Sequence, residues 1–564
     1  MKHLAITLIF LLPISLFAQS TFFDRNSDDY SQLERFDILR GKVSQDLHTA
    51  NGGITRKEAV LFLENYIKYL EEEDLTKNER DIQEIQAILD KNSEWSDDET
   101  TGDSDYSLFD VFYQKRADFF SVKHEDFSIA LNPVLNYQQM IEFGNTSQTL
   151  FQNRKGIEVR ASIKDRIGIY STFTDNQERG PLYHQRYVAR NEAIPNGPTY
   201  YKTFKPEKAG AAHDFILANA YVDAEVIENT LNVSFGHNRF HMGDGYRSMF
   251  LSDMGSNYLF FKINTKFWKV NYQNLFMELT PQFNRGFDGL LPKKYAAMHH
   301  LSMNVTNWLN IGLFEATVFG REDHFEFQYM NPVILYRYVE QSIGSPDNAM
   351  LGMNFKINPN IKALFYGQLL LDEFNFSEIA SGTGWWANKI ATQLGTKVVD
   401  PFGVNNLMVQ LEYNRVRPFM YSYNNGTSDY SHNNQALAHP YGSNFSEFVL
   451  NVNYKPRKNI QINLEAFYNK QGRDDSDSVS YGGDIFKSSR VRNSSYGINM
   501  YNGFVSNVFY GNLNASYEIK PNIYFDLGGG IRTEKASTSF NPTDNSAFIY
   551  GGLRMNTARR RYNY

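Results

Sequence analysis

The sequence predicts an all-β transmembrane antiparallel barrel of about 18 strands, preceded by a small α-helical periplasmic domain. Three observations predict it: an export signal at the N-terminus, two-residue alternation over most of the chain, and tight turns alternating with long polar segments. Composition agrees, because aromatics make up 15% of the residues, with 44 Phe and 36 Tyr. That abundance suits girdles of rings at two membrane interfaces.

The export signal occupies residues 1–19. Lys2 and His3 form a short polar start, Leu4 to Phe17 an apolar stretch, and Phe17-Ala18-Gln19 a small-residue cleavage site. The apolar run is shorter than the roughly 20 residues a spanning helix needs. Every later apolar stretch is broken by Asn, Lys, Asp or Gly. The chain has no cysteine, which excludes disulfides, a lipid-anchored Cys, thiolate metal sites and cysteine nucleophiles. A net charge of −7 gives no basis for nucleic-acid binding.

Residues 20–120 read as a periplasmic helical bundle or plug with its linker. Thr55 with Glu58, and Thr76 with Glu79, have capping-box spacing. Val60, Leu63, Ile67 and Leu70 form one apolar stripe, and Ile82, Ile85 and Leu89 another, so these faces need a partner. A further helix over Tyr30 to Leu39 stops at Gly41. The acidic run from Asp97 to Asp105 reads as a solvated linker.

Residues 121–564 read as the barrel. Ile157, Val159, Ala161 and Ile163 alternate with Glu158, Arg160 and Ser162. Leu513, Ala515, Tyr517 and Ile519 alternate with Asn512, Asn514, Ser516 and Glu518. A soluble β-sandwich also alternates, so the connections decide. Tight turns are expected at Lys164 to Arg166, Ile227 to Thr230, Thr306 to Asn310, Asn358 to Asn360, Lys455 to Asn459 and Lys520 to Asn522. Between them fall long polar segments: Thr174 to Asp214, Gly320 to Asp347, Arg415 to Ser446 and Asn469 to Gly503. Short turns at one end and long loops at the other is the asymmetry of outer-membrane barrels. An opening strand near Asp126 to Phe143 and a closing one near Ala547 to Met555 complete an even count. In hydrocarbon such a sheet must close, because unpaired backbone groups are costly there. Arg559-Arg560-Arg561 reads as a solvated or headgroup-facing tail.

The segment from Gly236 to Asp253, GHNRFHMGDGYRSMFLSD, resembles the signature of the Wzi-type capsule-assembly barrels of Bacteroidota. Phe325 to Asn348 (with Tyr329-Met-Asn-Pro332), Leu437 to Asn444 (with His439-Pro-Tyr-Gly442) and Asp126 to Asn136 resemble the same family. The resemblance covers about residues 110–564, and within that branch extends to the RemB proteins associated with gliding motility. It implies a barrel with a periplasmic helical bundle and a role with surface polysaccharide, as a lectin-like attachment and assembly factor rather than an enzyme. Capsule-assembly or gliding-apparatus proteins would be partners alongside outer-membrane lipid. No cofactor is implied.

Candidate residues each have a second reading. Trp385 and Trp386 can stack on sugar rings or anchor at the bilayer interface. Tyr200, Tyr201, Tyr421 and Tyr423 lie in long loops, as carbohydrate contacts or as loop packing. Arg239, Asp244 and Arg247 can pair inside the barrel or meet an anionic sugar. His237 and His241 have the HxxxH spacing of metal ligands, but at a strand end with no carboxylate motif. No G-x-S-x-G or H-E-x-x-H motif is present. The paired acids Glu322-Asp323 and Asp372-Glu373 fall in or beside loops, where solvated charge is the default. The competing function is a diffusion porin, since a barrel of this size can leave an aqueous channel.

Overall fold

The computed structural model describes residues 20–564 apart from 74–78, 97–99, 105–108, 110, 146, 165, 205–210, 282–290, 322–323, 334, 345, 374, 476–477 and 537–543. The expected export signal therefore lies outside the described residues, as does Thr76 of the second capping box.

The two-residue alternation folds as 18 antiparallel strands closed into a barrel. They are β1 (Phe127–Glu142), β2 (Leu150–Ile163), β3 (Ile167–Arg179), β4 (Ala212–Ile227), β5 (Leu231–Asn238), β6 (Tyr258–Phe267), β7 (Val270–Leu279), β8 (Lys294–Asn304) and β9 (Leu309–Phe319). They continue as β10 (Asn348–Ile357), β11 (Ala363–Leu371), β12 (Ile390–Val399), β13 (Leu407–Val416), β14 (Phe445–Arg457), β15 (Ile460–Arg473), β16 (Phe504–Lys520), β17 (Ile523–Ala536) and β18 (Asp544–Met555). Each pairs with its sequence neighbour, and β1 pairs with β18 from Leu135 opposite Met555 to Glu142 opposite Phe548. The seam leaves no open edge, as a sheet in hydrocarbon requires.

Exposure separates this sheet from a soluble sandwich. On β2, Ile157 is 41% exposed while Glu158 is 8% and Arg160 4%. On β16 and β17, Leu513 and Leu527 are exposed while Asn514 and Asp526 are buried. Apolar side chains face outward, where only lipid can cover them, and polar ones face the lumen. No described helix is long and apolar enough to cross a membrane.

The tight turns all lie at one end. Lys164, Asn229 and Asn522 take positive φ of 50°, 51° and 63° there, a conformation that Asn tolerates better than most residues. In an outer-membrane barrel this end faces the periplasm. The long connections emerge at the other end, with strands running a few residues further into them than the pattern suggests.

The N-terminal segment folds as α1 (Asp28–Leu39), α2 (Arg56–Glu72) and α3 (Glu79–Asp90). Ser27 caps α1, and Thr55 with Glu58 forms the expected capping box on α2. Phe36, Phe62, Leu63, Ile85 and Leu89 make their shared core. The domain sits against the periplasmic ends of the strands. Lys356 of β10 contacts Asp37 at 2.6 Å, Lys397 of β12 meets Glu34 at 2.6 Å, and Arg554 of β18 reaches Asp28 at 3.1 Å. Lys455 of β14 pairs with Glu84.

Nearer the outer end, the lumen is packed with loops. Phe240, Met242, Met249, Phe250 and Leu251, from the β5–β6 connection, join one buried cluster with Met420, Tyr421, Tyr430 and Leu437 of the β13–β14 connection. Lumen-facing Met277, Met298, Phe314 and Leu370 complete it. Phe250 stacks on Phe314 with centroids 4.4 Å apart.

Residues 556–564 correct the sequence reading. They turn into the lumen instead of lying among headgroups. Arg559 pairs with Asp28 at 2.8 Å, Arg560 with Glu178 at 2.9 Å, and Arg561 with Glu465 at 3.6 Å. Tyr562 and Tyr564 end in a cluster with Met140, Leu150, Val508 and Phe548, at the outer end of the strands. The tail thus runs most of the barrel's height.

Candidate functional site

A vestibule of about 790 Å³ opens on the outer face. Three features build it: α4 (Leu182–Asn191) in the β3–β4 connection, the segment 434–442, and the start of the β15–β16 connection. Half-buried Tyr187, Tyr441 and Phe486 present ring surface there, and Tyr183 and Tyr564 form its floor. Tyr187 packs on Tyr564 at 4.8 Å, and Tyr183 donates its hydroxyl to the Tyr562 carbonyl at 3.0 Å. The lumenal tail is therefore what the floor rests on.

Around the rings lies a network of charges. Glu534 receives Arg473 at 2.5 Å and Arg532 at 3.0 Å, and Arg532 lies over the Tyr183 ring at 5.0 Å. Lys487 holds Asp474 at 3.0 Å. Arg190 is exposed on the same wall. Asp484 caps the Phe486 N–H at 3.0 Å, and burial raises its pKa above the ordinary carboxylate value. Half-buried aromatic faces beside fixed donors and acceptors can stack on sugar rings and hydrogen-bond their hydroxyls.

The structure brings none of the nine sequence candidates to this vestibule. Arg247 is wholly buried; it grips Glu447 at 3.1 Å and donates to the Asn563 carbonyl at 2.8 Å. Asp244 is buried against Thr49 and 3.8 Å from Lys356. Tyr421 is buried, stacked on Tyr430 at 5.6 Å with its hydroxyl on the Met249 carbonyl. Tyr201 is buried and meets His213 edge-on at 4.9 Å. For these four the structure shows the second of the two readings, ion pairing or loop packing inside the barrel. Arg239 faces the lumen and donates to the carbonyls of Asn196 and Gly255 at 3.0 and 2.8 Å.

The other four remain in the outer loops. Tyr200 is 76% exposed, and Tyr423 is half-buried, its carbonyl accepting from Ser489 N at 3.0 Å. Trp385 and Trp386 are half-buried, and Trp386 is sandwiched between Arg492 at 4.5 Å and Phe419 at 5.8 Å. His237 points outward from β5 while His241 is buried on Asp253 at 3.3 Å, so the HxxxH pair is split between two faces. No cluster of possible metal ligands occurs among the described residues. Glu322-Asp323 lies outside them, and Asp372 is buried on Lys389 at 3.4 Å rather than solvated.

The vestibule residues escaped sequence reasoning because Tyr183, Tyr441, Phe486 and Arg532 stand on separate segments that meet only after closure. The one available cue was position: Tyr183, Tyr441 and Phe486 lie in long polar connections, while Arg532 stands on β17.

The fold and its outward apolar band define an outer-membrane β-barrel. No family model matches the chain, and no curated protein matches it. Among solved structures it is similar to Wzi of Escherichia coli, described as an outer membrane protein involved in group 1 capsule assembly and a carbohydrate-binding β-barrel. That likeness has a TM-score of 0.52 at 12% identity and covers 96% of this chain and 100% of that one. The chain is also similar to OprD of Pseudomonas aeruginosa (TM-score 0.39, 9% identity, 76% of this chain and 94% of that one). OpdK of the same organism, solved with vanillate, is a third (TM-score 0.42, 7% identity, 76% and 98%). The protein has a Wzi-like fold and resides in the outer membrane.

Proposed function

We propose that the protein is a non-enzymatic binder and organiser of surface polysaccharide, working in capsule attachment or assembly. The observation that carries this reading is the outer vestibule, with ring faces and fixed ion pairs open to the outside above a filled lumen. The sugar-binding description of Wzi, with which it shares its fold, supports the same reading. A helical domain against the periplasmic ends and two packed loops above it argue against a diffusion channel. Association with a gliding apparatus would use the same outer face, with polysaccharide contact serving adhesion.

The test is glycan binding by the purified full chain, together with capsule retention in a strain that lacks it. A Tyr187→Ala, Tyr441→Ala double variant is expected to lose binding while keeping the folded, heat-resistant barrel. Unchanged glycan binding by the variant would remove the vestibule from the proposal. A deletion strain with unchanged capsule would remove the function.

A further inference from the structure

The connection from β9 to β10 starts at the outer end of the barrel and folds back down its outside. Side chains alternate along β7, where Leu275 and Met277 join the lumenal cluster, so Tyr272, Asn274 and Phe276 point outward. The Tyr272 hydroxyl donates to the Pro332 carbonyl at 2.6 Å, although Tyr272 is the third residue of β7 counted from its periplasmic turn. On the same wall the Phe325 ring meets Phe276 and Tyr295 edge-on at 6.3 and 5.5 Å. Tyr329 stacks on Phe319 at 4.8 Å, and Tyr336 lies 4.0 Å from the His299 ring. Tyr336 begins α5 (Tyr336–Ser342), which precedes the return to Asn348 at the head of β10.

The wall beneath this segment would suit lipid poorly. Asn274, His299, Glu315 and Thr317 point outward from β7, β8 and β9, yet none is more than 6% exposed. His299 Nδ1 donates to Glu315 at 2.7 Å, and the Tyr336 N–H donates to the other carboxylate oxygen at 3.0 Å. Ionisable groups on the lipid face of a barrel are costly, and the segment removes this pair from that face. Its own far side is apolar: Phe327, Val333, Leu335 and Tyr338 are 76%, 86%, 63% and 64% exposed. Leu351, the cross-strand partner of Glu315, and Leu313 are exposed on the wall itself, so the outward apolar band continues onto the segment. Gln328, Arg337 and Gln341 share the exposed side, with Arg337 paired to Glu340, and long side chains of this kind can reach up to headgroups.

Strand length sets the depth. β7, β8 and β9 have 10, 11 and 11 residues, and a tilted strand needs about 9–11 to cross the hydrocarbon. These strands have no height to spare, so a segment docked part-way down them lies below the headgroups. Backbone polar groups at that depth need partners within the protein. Tyr329, Asn331 and Tyr338 donate N–H to the carbonyls of Glu326, Gln328 and Leu335 at 3.1, 3.4 and 3.0 Å. The Val333 N–H goes to Asn331 Oδ1 at 3.1 Å, and Pro332 has no N–H to satisfy. We propose that the described residues of 325–343 form a re-entrant segment seated in the outer leaflet, which seals the polar wall and presents Phe327, Val333, Leu335 and Tyr338 to lipid acyl chains. The segment lies outside the barrel and is independent of the vestibule and of the glycan reading.

The test uses a chain that has no cysteine of its own. Single variants Val333→Cys and Leu335→Cys are spin-labelled in the full chain and reconstituted in vesicles of phosphatidylethanolamine and phosphatidylglycerol. Collision of each label with oxygen, which concentrates in hydrocarbon, is compared with collision with a water-soluble nickel chelate. Leu313→Cys on the outward wall supplies the lipid reference, and Tyr200→Cys in an outer loop the water reference; both residues are exposed. The two segment labels are expected to match the Leu313→Cys label and to favour oxygen several-fold more than the Tyr200→Cys label does. A ratio equal to that of the Tyr200→Cys label overturns the proposal, because the segment then lies in water. Weak collision with both reagents also overturns it, because protein, such as a second copy of the chain, then covers that face. Heat-modifiability on gels confirms that each variant is folded, and Phe327→Cys on the same face replaces one that is not.

Discussion

Arg247, between β5 and β6, and Glu447, on β14, face each other at 3.1 Å with both side chains wholly sealed from solvent. The same carboxylate takes His439 Nε2 at 2.8 Å, and the same guanidinium holds the Asn563 carbonyl at 2.8 Å. One ion pair therefore ties two connections and the lumenal tail to a strand.

Removing one partner leaves the other charge buried, which costs about 3–5 kcal/mol. Arg247→Met is expected to destabilise the barrel by that order and to loosen the tail. Arg247→Lys is expected to recover only part of it, since an ammonium cannot supply the same fork. Heat-modifiability on gels and protection of residues 556–564 from protease measure both effects.

Acid is expected to weaken the outer loops. His432 accepts from Thr280 N at 3.0 Å through Nδ1 and bonds the Asn257 carbonyl at 2.9 Å through Nε2, so it serves as a neutral staple between three connections. Burial pushes its pKa down to about 4, with the charges of Lys294 and His237 adding. An unfolded chain takes up that proton near pH 6.5, as about 6.5 is the ordinary value. Between those values the unfolded state binds more protons, so stability falls as pH drops from about 6.5 towards 4, by about 3 kcal/mol in all. Melting curves across that range should show the slope, and His432→Gln should reduce it. A residual slope from His241 and His48, pushed down to about 4 and about 3 by burial, should remain.

Deleting residues 20–119 alone is expected to leave steady conductance low. The helical domain covers the periplasmic ends, but Phe250, Met249 and Tyr421 still pack the lumen above it. Conductance in planar bilayers should rise only when the β5–β6 connection is shortened as well. Large conductance from the intact chain would contradict the filled lumen.

Gly395 on β12 leaves room for the Tyr366 ring, since a Cβ there would sit 2.3 Å from the ring carbon Cζ. The ring lies across the glycine so that its hydroxyl reaches Glu412 at 2.8 Å. Gly395→Val is expected to displace it and destabilise the barrel by about 1–3 kcal/mol, as overpacking does. Thermal melting beside Tyr366→Phe, which keeps the ring but loses the bond, separates crowding from the hydrogen bond.

Strands and tight turns were legible because lipid imposes a strict period: Leu513 and Leu527 must face outward whatever lies inside. The helices were legible through the stripe of Val60, Leu63 and Leu70 and through the Thr55–Glu58 cap. The lumen imposes no period. Phe250 and Met249 sit in a glycine-containing loop with no alternation to mark them as core. Arg559, Arg560 and Arg561 look solvated until Asp28, Glu178 and Glu465 arrive from distant segments. The family-like segment Gly236 to Asp253 folds largely into this lumen packing.

The inward course of residues 556–564 bears on how the molecule is made. These residues hang from β18, the strand that closes the seam with β1, and they lie between the helical domain and the outer loops. A finished barrel offers them no free passage from either mouth. The tail must therefore be laid in while the wall is still open or the helical domain still undocked. Order of assembly, as much as final stability, is written into that short segment.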